Sequence, residues 1–390
     1  MYFAAGGGHR SAAIALADVI RSQGRPWDVE LVNLDDLLEP IDLVQKATGV
    51  RCFEFYNWAL RLGWTYLPSR LLPLTHRMIR ILHTRQVELL GEFWRRTSPD
   101  LVVSVVPHFG RAIFEGLGAS CPKARLVTIL TDLADCPPNF WIERQNQHFV
   151  CGSAKAVEQA RQMGVPEAQI WRVSGMIVHP RFYQPASGRR IERLRRLGLS
   201  PELPVALVMF GGYGSNRMTQ IVRRLAARAT PVQLILMCGH NAGLARRLEK
   251  METPYPKAVV GFTSDVVGYM AVSDVFIGKP GPGSVSEALA TGLPVIVERS
   301  AGTMVQERYN VDWIEQHGVG VGIPGLRELP AALGHMLRPA VHAPLRSNIE
   351  RLQNRAVFEI PAILEQVLAL GAARLSPAGG PGARTSEFRV

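Results

Sequence analysis

The residue types best suited to chemistry stand in two short stretches. The first is Lys279-Pro280-Gly281-Pro282-Gly283-Ser284, with Glu287 three residues on. The apolar run Val275–Gly278 reads as a strand, a Pro/Gly loop follows, and Ser284 is expected to cap a helix. Amide N–H groups from Gly281 to Ser284 would then converge beside the Lys279 ammonium, which makes a seat for a diphosphate. Glu287, one turn into that helix, is placed to accept two hydrogen bonds from vicinal ribose hydroxyls. A plain helix cap with an exposed glutamate is the alternative, and it leaves Lys279 and the paired Pro-Gly steps unexplained.

The second stretch is Gly6-Gly7-Gly8-His9, which follows a short strand and opens a predicted helix, His9–Ser22. Consecutive glycines let the backbone pass close to a ligand, and the N–H groups at a helix start favour an anion or a polar oxygen. A neutral imidazole at His9 would be able to take a proton from an acceptor hydroxyl, with the helix N-terminus helping to keep it neutral. Merely closing the turn is the other reading. A dinucleotide-binding turn is a third: Asp35-Asp36 follow the second strand, but the sixth position of GxGxxG is Ser11. A further glycine turn, Phe210-Gly211-Gly212-Tyr213-Gly214-Ser215, is weak evidence alone, because tight strand-to-helix turns need glycine anyway. Gln306-Glu307 would suit vicinal sugar hydroxyls, although such a pair is also common on helix surfaces. Phe262, after Gly261, would lie along a base or fill a core.

These residues need strand ends to hold them. Short apolar runs alternate with amphipathic helical stretches, the pattern of parallel α/β units. Strands are predicted at Met1–Ala5, Asp28–Asn33, Leu101–Val106, Leu126–Thr131, His148–Cys151 and Ile170–Val173. A second set follows at Val205–Phe210, Gln233–Cys238, Ala258–Val260, Val275–Gly278 and Pro294–Glu298. We read an N-terminal Rossmann-like domain over 1–180 and a linker over 181–203 with a basic helix, Arg189–Leu197. A nucleotide-sugar domain over 204–340 comes next, then C-terminal helices over 341–372 that break near Pro361. Residues 373–390 read as a disordered tail. The expected fold is therefore α/β, two doubly wound sheets facing across a cleft.

The chain has 390 residues, a net charge of +11 and a 47% hydrophobic fraction. That size and composition suit two folded domains, and the charge suits an anionic partner. Five widely spaced cysteines without a CxxC pair read as reduced cytosolic thiols, not as a disulfide framework or a zinc site. With the glycine turn only five residues in, no secretory leader is expected, and the short strand ahead of the turn fits a shortened start. No run of about 18 apolar residues is present, so membrane contact is expected to be peripheral. Between Arg51 and Arg96 lie eight arginines (Arg51, Arg61, Arg70, Arg77, Arg80, Arg85, Arg95, Arg96) with Phe53, Phe55, Tyr56, Trp58, Trp64, Tyr66, Phe93 and Trp94 interleaved. Arginine mixed with Trp and Tyr suits an anionic lipid surface, and ordinary helices with one solvated face are the bland reading. No nucleic-acid motif accompanies them, so nucleic acid is not expected as a partner.

Together the motifs resemble glycosyltransferase family 28, within it the monogalactosyldiacylglycerol synthases and diacylglycerol glucosyltransferases. The resemblance spans about Met1 to Asn310. It rests on GGGHRSAA (Gly6–Ala13), TDLADCPPNFW (Thr131–Trp141), VCGSAKAVEQARQMGV (Val150–Val165), SGMIVHPRFY (Ser174–Tyr183), FGGYGS and GKPGPGSVSEALATGLPVIV (Gly278–Val297). It implies a GT-B fold and inverting transfer of galactose or glucose from a UDP-sugar to 1,2-diacylglycerol. The UDP-sugar is a co-substrate; no cofactor or metal is implied. His9 would be the catalytic base, with Gly7, Gly8 and Asp132 on the acceptor side. Gly212, Phe262, Lys279, Gly281, Gly283, Ser284 and Glu287 would bind the nucleotide and phosphates, and Gln306 and Glu307 the sugar. The implied location is the cytoplasm, peripherally on the inner face of the cell membrane. The family histidine expected after the TD pair is replaced by Cys136-Pro137-Pro138-Asn139. Rivals are transfer of N-acetylglucosamine to a polyprenyl-linked acceptor, glycosylation of a soluble small molecule, an inactive sugar-nucleotide-binding homologue, and an NAD-dependent oxidoreductase.

Overall fold

The computed structural model describes residues 1–3, 7–51, 54, 77–184, 189–228, 230–300, 303–373 and 388–389. Gly6, most of the aromatic and arginine-rich stretch from 52 to 76, and tail residues 374–387 lie outside them. Two compact units separate: Met1–Phe55 and Leu71–His179 together with Asn354–Val390, and Pro180–Gln353.

In the first unit, α1 (Gly8–Ser22) precedes four parallel strands, β1 (Leu101–Ser104), β2 (Arg125–Ile129), β3 (His148–Cys151) and β4 (Ile170–Arg172), in the spatial order β1-β2-β3-β4. The crossovers are α2 (His83–Thr97) ahead of β1, then α3 (Gly110–Ser120) and, beyond β3, α4 (Ala154–Gln162). Strands β1 to β3 are buried at all but Val103 and Arg125, as a parallel sheet covered by helices on both faces requires. The α1 residues Ala13, Leu16 and Ile20 pack with Val127, Ile129 and Val150 in one core.

Ala4 and Ala5 lie outside the described residues; among those described, the strands expected at Met1–Ala5 and Asp28–Asn33 meet in one parallel bridge, Tyr2 with Asn33. A cavity of about 220 Å³, lined by Leu16, Ile20, Val29, Leu31 and Val103 among others, separates residues 28–32 from β1. Further along, Trp27–Asp28 pairs in parallel with Phe388–Arg389, inside the stretch expected to be a disordered tail.

The second unit carries six parallel strands: β5 (Val205–Met209), β6 (Gln233–Gly239), β7 (Lys257–Gly261), β8 (Val275–Gly278), β9 (Val295–Glu298) and β10 (Gly320–Ile323). Their spatial order is β10-β9-β8-β5-β6-β7. This is the doubly wound order, and its topological switch point falls between β5 and β8. Helices α5 (Arg217–Ala227), α6 (Ala242–Glu249), α7 (Pro282–Ala290), α8 (Arg308–Gln316), α9 (Leu329–Met336) and α10 (Pro339–Leu352) belong to the same unit. All residues of β5 and β8 are buried, as central strands require.

The stretch expected as a linker packs into this unit: Phe182 and Leu194 are buried, Arg190 pairs with Asp274 at 2.8 Å and Arg193 with Asp265 at 2.6 Å. The C-terminal helices divide between the units at Gln353, whose φ of 44° ends α10, and not at Pro361. Pro361 lies inside α11 (Ala356–Ala373). It removes one i→i−4 bond without ending the helix, because Ile360, Leu364 and Val367 anchor α11 in the core that α1 lines.

Candidate active site

His9 stands in the first turn of α1, whose N-cap is Gly7 at φ 81°. Only glycine holds that left-handed angle without strain. The ring lies over the ends of β1 and β2: Nδ1 is 3.0 Å from Thr131 Oγ1, and a hydrogen bond joins the ring to the Val105 backbone. Desolvation lowers the His9 pKa to about 4, and the Val105 bond offsets part of that. The imidazole is therefore neutral at physiological pH, and the α1 N-terminus works in the same direction.

Trp141 lies 5.9 Å from His9 between ring centroids. Its indole N–H donates to Asp132 Oδ2 at 2.8 Å, and its backbone N–H donates to Asp135 Oδ1 at 2.6 Å. Asp135, buried, also accepts from the Asn139 amide at 2.9 Å, so one carboxylate gathers the loop that follows it. Desolvation raises the Asp135 pKa, partly countered by backbone bonds from Trp141, Asn139, Ile142 and Phe140. The structure thus brings His9, Asp132 and the Thr131–Trp141 segment together, while Gly7 and Gly8 remain exposed beside them. Thr131, Asp135 and Trp141 carried no assigned role in the sequence reading. His108 edges onto Phe140 at 4.1 Å, a histidine at this loop drawn from the end of another strand.

In the second unit the two glycine loops follow β5 and β8, on either side of the switch point. Lys279 Nζ donates to Glu307 Oε1 at 2.7 Å, with Glu307 buried and Lys279 half-buried. Ser284 is not the cap of α7. Gly281 takes that position, Pro282 is the first helical residue, and Ser284 Oγ bonds back to the Gly281 carbonyl at 3.3 Å. Proline wins this place because its missing N–H has no partner in a first turn anyway. The Gly283 and Ser284 amides remain as first-turn donors with no carbonyl a turn earlier to receive them. A Cβ built on Gly281 would lie 3.3 Å from Lys279 Cε and 3.4 Å from both Glu307 Oε1 and Ser284 Oγ, so these groups share one small space.

Glu287 is partly exposed at its surface yet surrounded by protein on most sides. Desolvation raises its pKa to about 7, and the charge of Arg181 draws it down in part. Arg181 sits on the short 3₁₀ turn Pro180–Tyr183 and donates to the Ser264 carbonyl at 3.2 Å. Phe262 is 66% exposed and stacks on His240 at 3.9 Å and 20°, with Tyr213 5.7 Å beyond. An aromatic ledge therefore crosses the ends of β5, β6 and β7, suited to a flat base. Gly212 braces it: its carbonyl accepts the His240 amide at 2.9 Å. His240 had no role in the sequence reading, and its position directly after a strand-end glycine was the available signal.

The neighbours Gln306 and Glu307 meet different partners. Glu307 faces Lys279, whereas Gln306 Nε2 lies 3.6 Å from Met304 Sδ. Arg217 and Glu298, from the start of α5 and the end of β9, form a second ion pair at this edge of the sheet. Chemically, the second unit offers cations and amides for phosphates, an aromatic surface for a base and carboxylates for hydroxyls. The first unit offers a neutral base.

Residues 205–367 match the glycosyltransferase family 28 C-terminal domain. The monogalactosyldiacylglycerol synthase of Spinacia oleracea chloroplasts is 26% identical over 93% of this chain and 71% of its own length. The probable monogalactosyldiacylglycerol synthase 2 of Oryza sativa subsp. japonica is 28% identical over 91% of this chain and 77% of its own. Among solved structures, Os79 from O. sativa superposes with a TM-score of 0.58 at 14% identity, covering 96% of this chain and 100% of that one. Anabaena HepE, solved with UDP and glucose, gives a TM-score of 0.55 at 16% identity, covering 95% of this chain and 98% of that one. The fold is GT-B.

Proposed function

We propose, for a GT-B glycosyltransferase that carries the family 28 C-terminal domain and resembles the monogalactosyldiacylglycerol synthases along nine-tenths of its length, transfer of a hexose from a UDP-sugar to 1,2-diacylglycerol. Galactose is the first candidate, after the names of those relatives, and glucose the second. The observation that carries the reading is the switch-point loop, with Lys279 and the Gly283 and Ser284 amides beside the buried Glu307.

The acceptor hydroxyl gives its proton to the neutral His9 imidazole as its oxygen bonds to the anomeric carbon. The bond from that carbon to the diphosphate oxygen breaks, and UDP leaves with the electron pair. Attack opposite the leaving group gives a β-glycoside from an α-linked donor. Lys279 and the N-terminus of α7 meet the charge that develops on the leaving oxygen. Glu287 takes the ribose hydroxyls, the ledge of Phe262 and His240 the base, and Gln306 and Glu307 the hexose. On the acceptor side, Asp132 holds Trp141 beside His9. Among the described residues no helix is long and apolar enough to cross a membrane. We place the protein peripherally on the anionic inner face of the cell membrane, through Arg77, Arg80 and Arg85 around the exposed Ile81.

The test incubates purified protein and liposomes of diacylglycerol plus an anionic lipid with labelled UDP-galactose, UDP-glucose or UDP-N-acetylglucosamine. Label in the lipid phase from one of the two hexose donors is expected. Label from none of the three sinks the lipid-glycosyltransferase reading, and label from UDP-N-acetylglucosamine alone replaces the donor.

A further inference from the structure

We infer that Asn310 is a positioning residue for the donor's diphosphate, holding the loop Lys279–Gly281 in place through the Pro280 carbonyl; this rests on the reading of that loop as the diphosphate seat. Strand β8 ends at Gly278, so the sheet's ladder stops before the loop begins. Pro280 and Pro282 have no N–H to donate. Pro280 and Gly281 are nevertheless buried, which leaves the Pro280 carbonyl in need of a donor from elsewhere.

Asn310, fully buried in the first turn of α8, supplies it: Nδ2 lies 2.7 Å from the Pro280 oxygen. A carbonyl only accepts, so the amide must present its nitrogen there. Its other end, Oδ1, is buried with no partner among the described residues. An apolar side chain of similar size would avoid burying an unpaired acceptor. The bond to Pro280 is therefore what accounts for an asparagine at this position.

Glu307, three residues earlier, holds the neighbouring Lys279 at 2.7 Å. The start of α8 thus grips two consecutive loop residues, one by charge and one by a hydrogen bond. Gly281, next along, lies against both Lys279 and Glu307. Any slip of the loop would move the Lys279 ammonium and the first-turn amides of α7 away from a phosphate together, while the ledge at Phe262 and His240 stayed where it is. Asn310 acts through the loop and need not touch the donor.

The experiment measures affinity for UDP and for uridine, which lacks the phosphates, on the full chain and on Asn310→Leu. This substitution removes the donor without adding a charge and keeps the branching at Cγ. UDP affinity is expected to fall about 10-fold, the effect of losing one buried hydrogen bond that aligns a charged site, with uridine affinity within about 2-fold. Unchanged UDP affinity overturns the inference, as does an equal loss for both ligands, which would mark general loosening. Should Asn310→Leu fail to fold, Asn310→Ser is measured against the same two outcomes. If the unsubstituted protein binds uridine but not UDP, or neither, the diphosphate reading itself fails, which is a separate result.

Discussion

At the scale of the residue, two of the ionisable groups assigned to chemistry, His9 and Glu287, are shifted by the same cause in opposite directions. Burial disfavours charge, so it lowers His9 to about 4 and raises Glu287 to about 7. Each shift belongs to a different kinetic parameter. With donor saturating, kcat is expected to hold level from pH 8 down to about pH 5 and then fall as His9 takes up a proton. His9→Ala should lower kcat about 100-fold or more while UDP affinity, measured by titration, stays unchanged. Unchanged turnover would remove His9 from the base role. Glu287 should appear in the donor KM instead. Its ordinary pKa is 4.5, so in the folded protein the carboxylate forms only as pH rises through about 7. The ionised form accepts the ribose hydroxyls, and the donor KM should therefore fall about 3- to 10-fold from pH 6 to pH 8. Glu287→Gln should flatten that dependence. The fold disfavours the charged carboxylate, so the same substitution is expected to raise the melting temperature of the unliganded protein at pH 8.

At the scale of the element, the donor site depends on strand ends that crowd one another. Gly239 closes β6 at φ 57°, and a Cβ there would lie 2.0 Å from the Gly212 carbonyl oxygen. Neither that backbone angle nor that distance admits a side chain, so Gly239→Ala must push apart the loops after β5 and β6. We expect a loss of about 2–4 kcal/mol in urea unfolding, from combined strain and displacement, together with weaker UDP binding as His240 and Phe262 shift. A variant as stable as the parent would show that the two loops are not packed this way. Some of this crowding was legible beforehand: a glycine ending a buried strand and a Pro/Gly loop opening a helix are local signals. Ser284 shows where local signals stop. Serine is a good cap by propensity, yet Pro282 occupies the first helical position and moves the cap back to Gly281. Asp28–Asn33 likewise reads as a strand, but it pairs only at its two ends, Asp28 with Arg389 and Asn33 with Tyr2. Whether a ladder closes depends on what fills the space beneath it.

At the scale of the whole molecule, the net charge of +11 gives the chain a field that favours anionic surfaces. Binding to liposomes is expected to rise with anionic lipid content and to weaken several-fold between about 50 mM and 500 mM salt, measured by co-sedimentation. Binding indifferent to both would remove the arginine-rich stretch from a membrane role. The sequence by itself determined the class of fold, the two strand-end glycine loops and their place in chain order. Those follow from short-range rules: apolar runs with a two-sided burial pattern, and glycine or proline where the backbone must turn. Only the tertiary structure decided the strand order β10-β9-β8-β5-β6-β7 that sets the loops after β5 and β8 on either side of one switch point. It alone paired Lys279 with Glu307 across 28 residues of chain, and His9 with Thr131 across 122. Contacts of that separation leave no periodicity to read, because they are fixed by where whole elements pack and not by the propensities of the residues that meet.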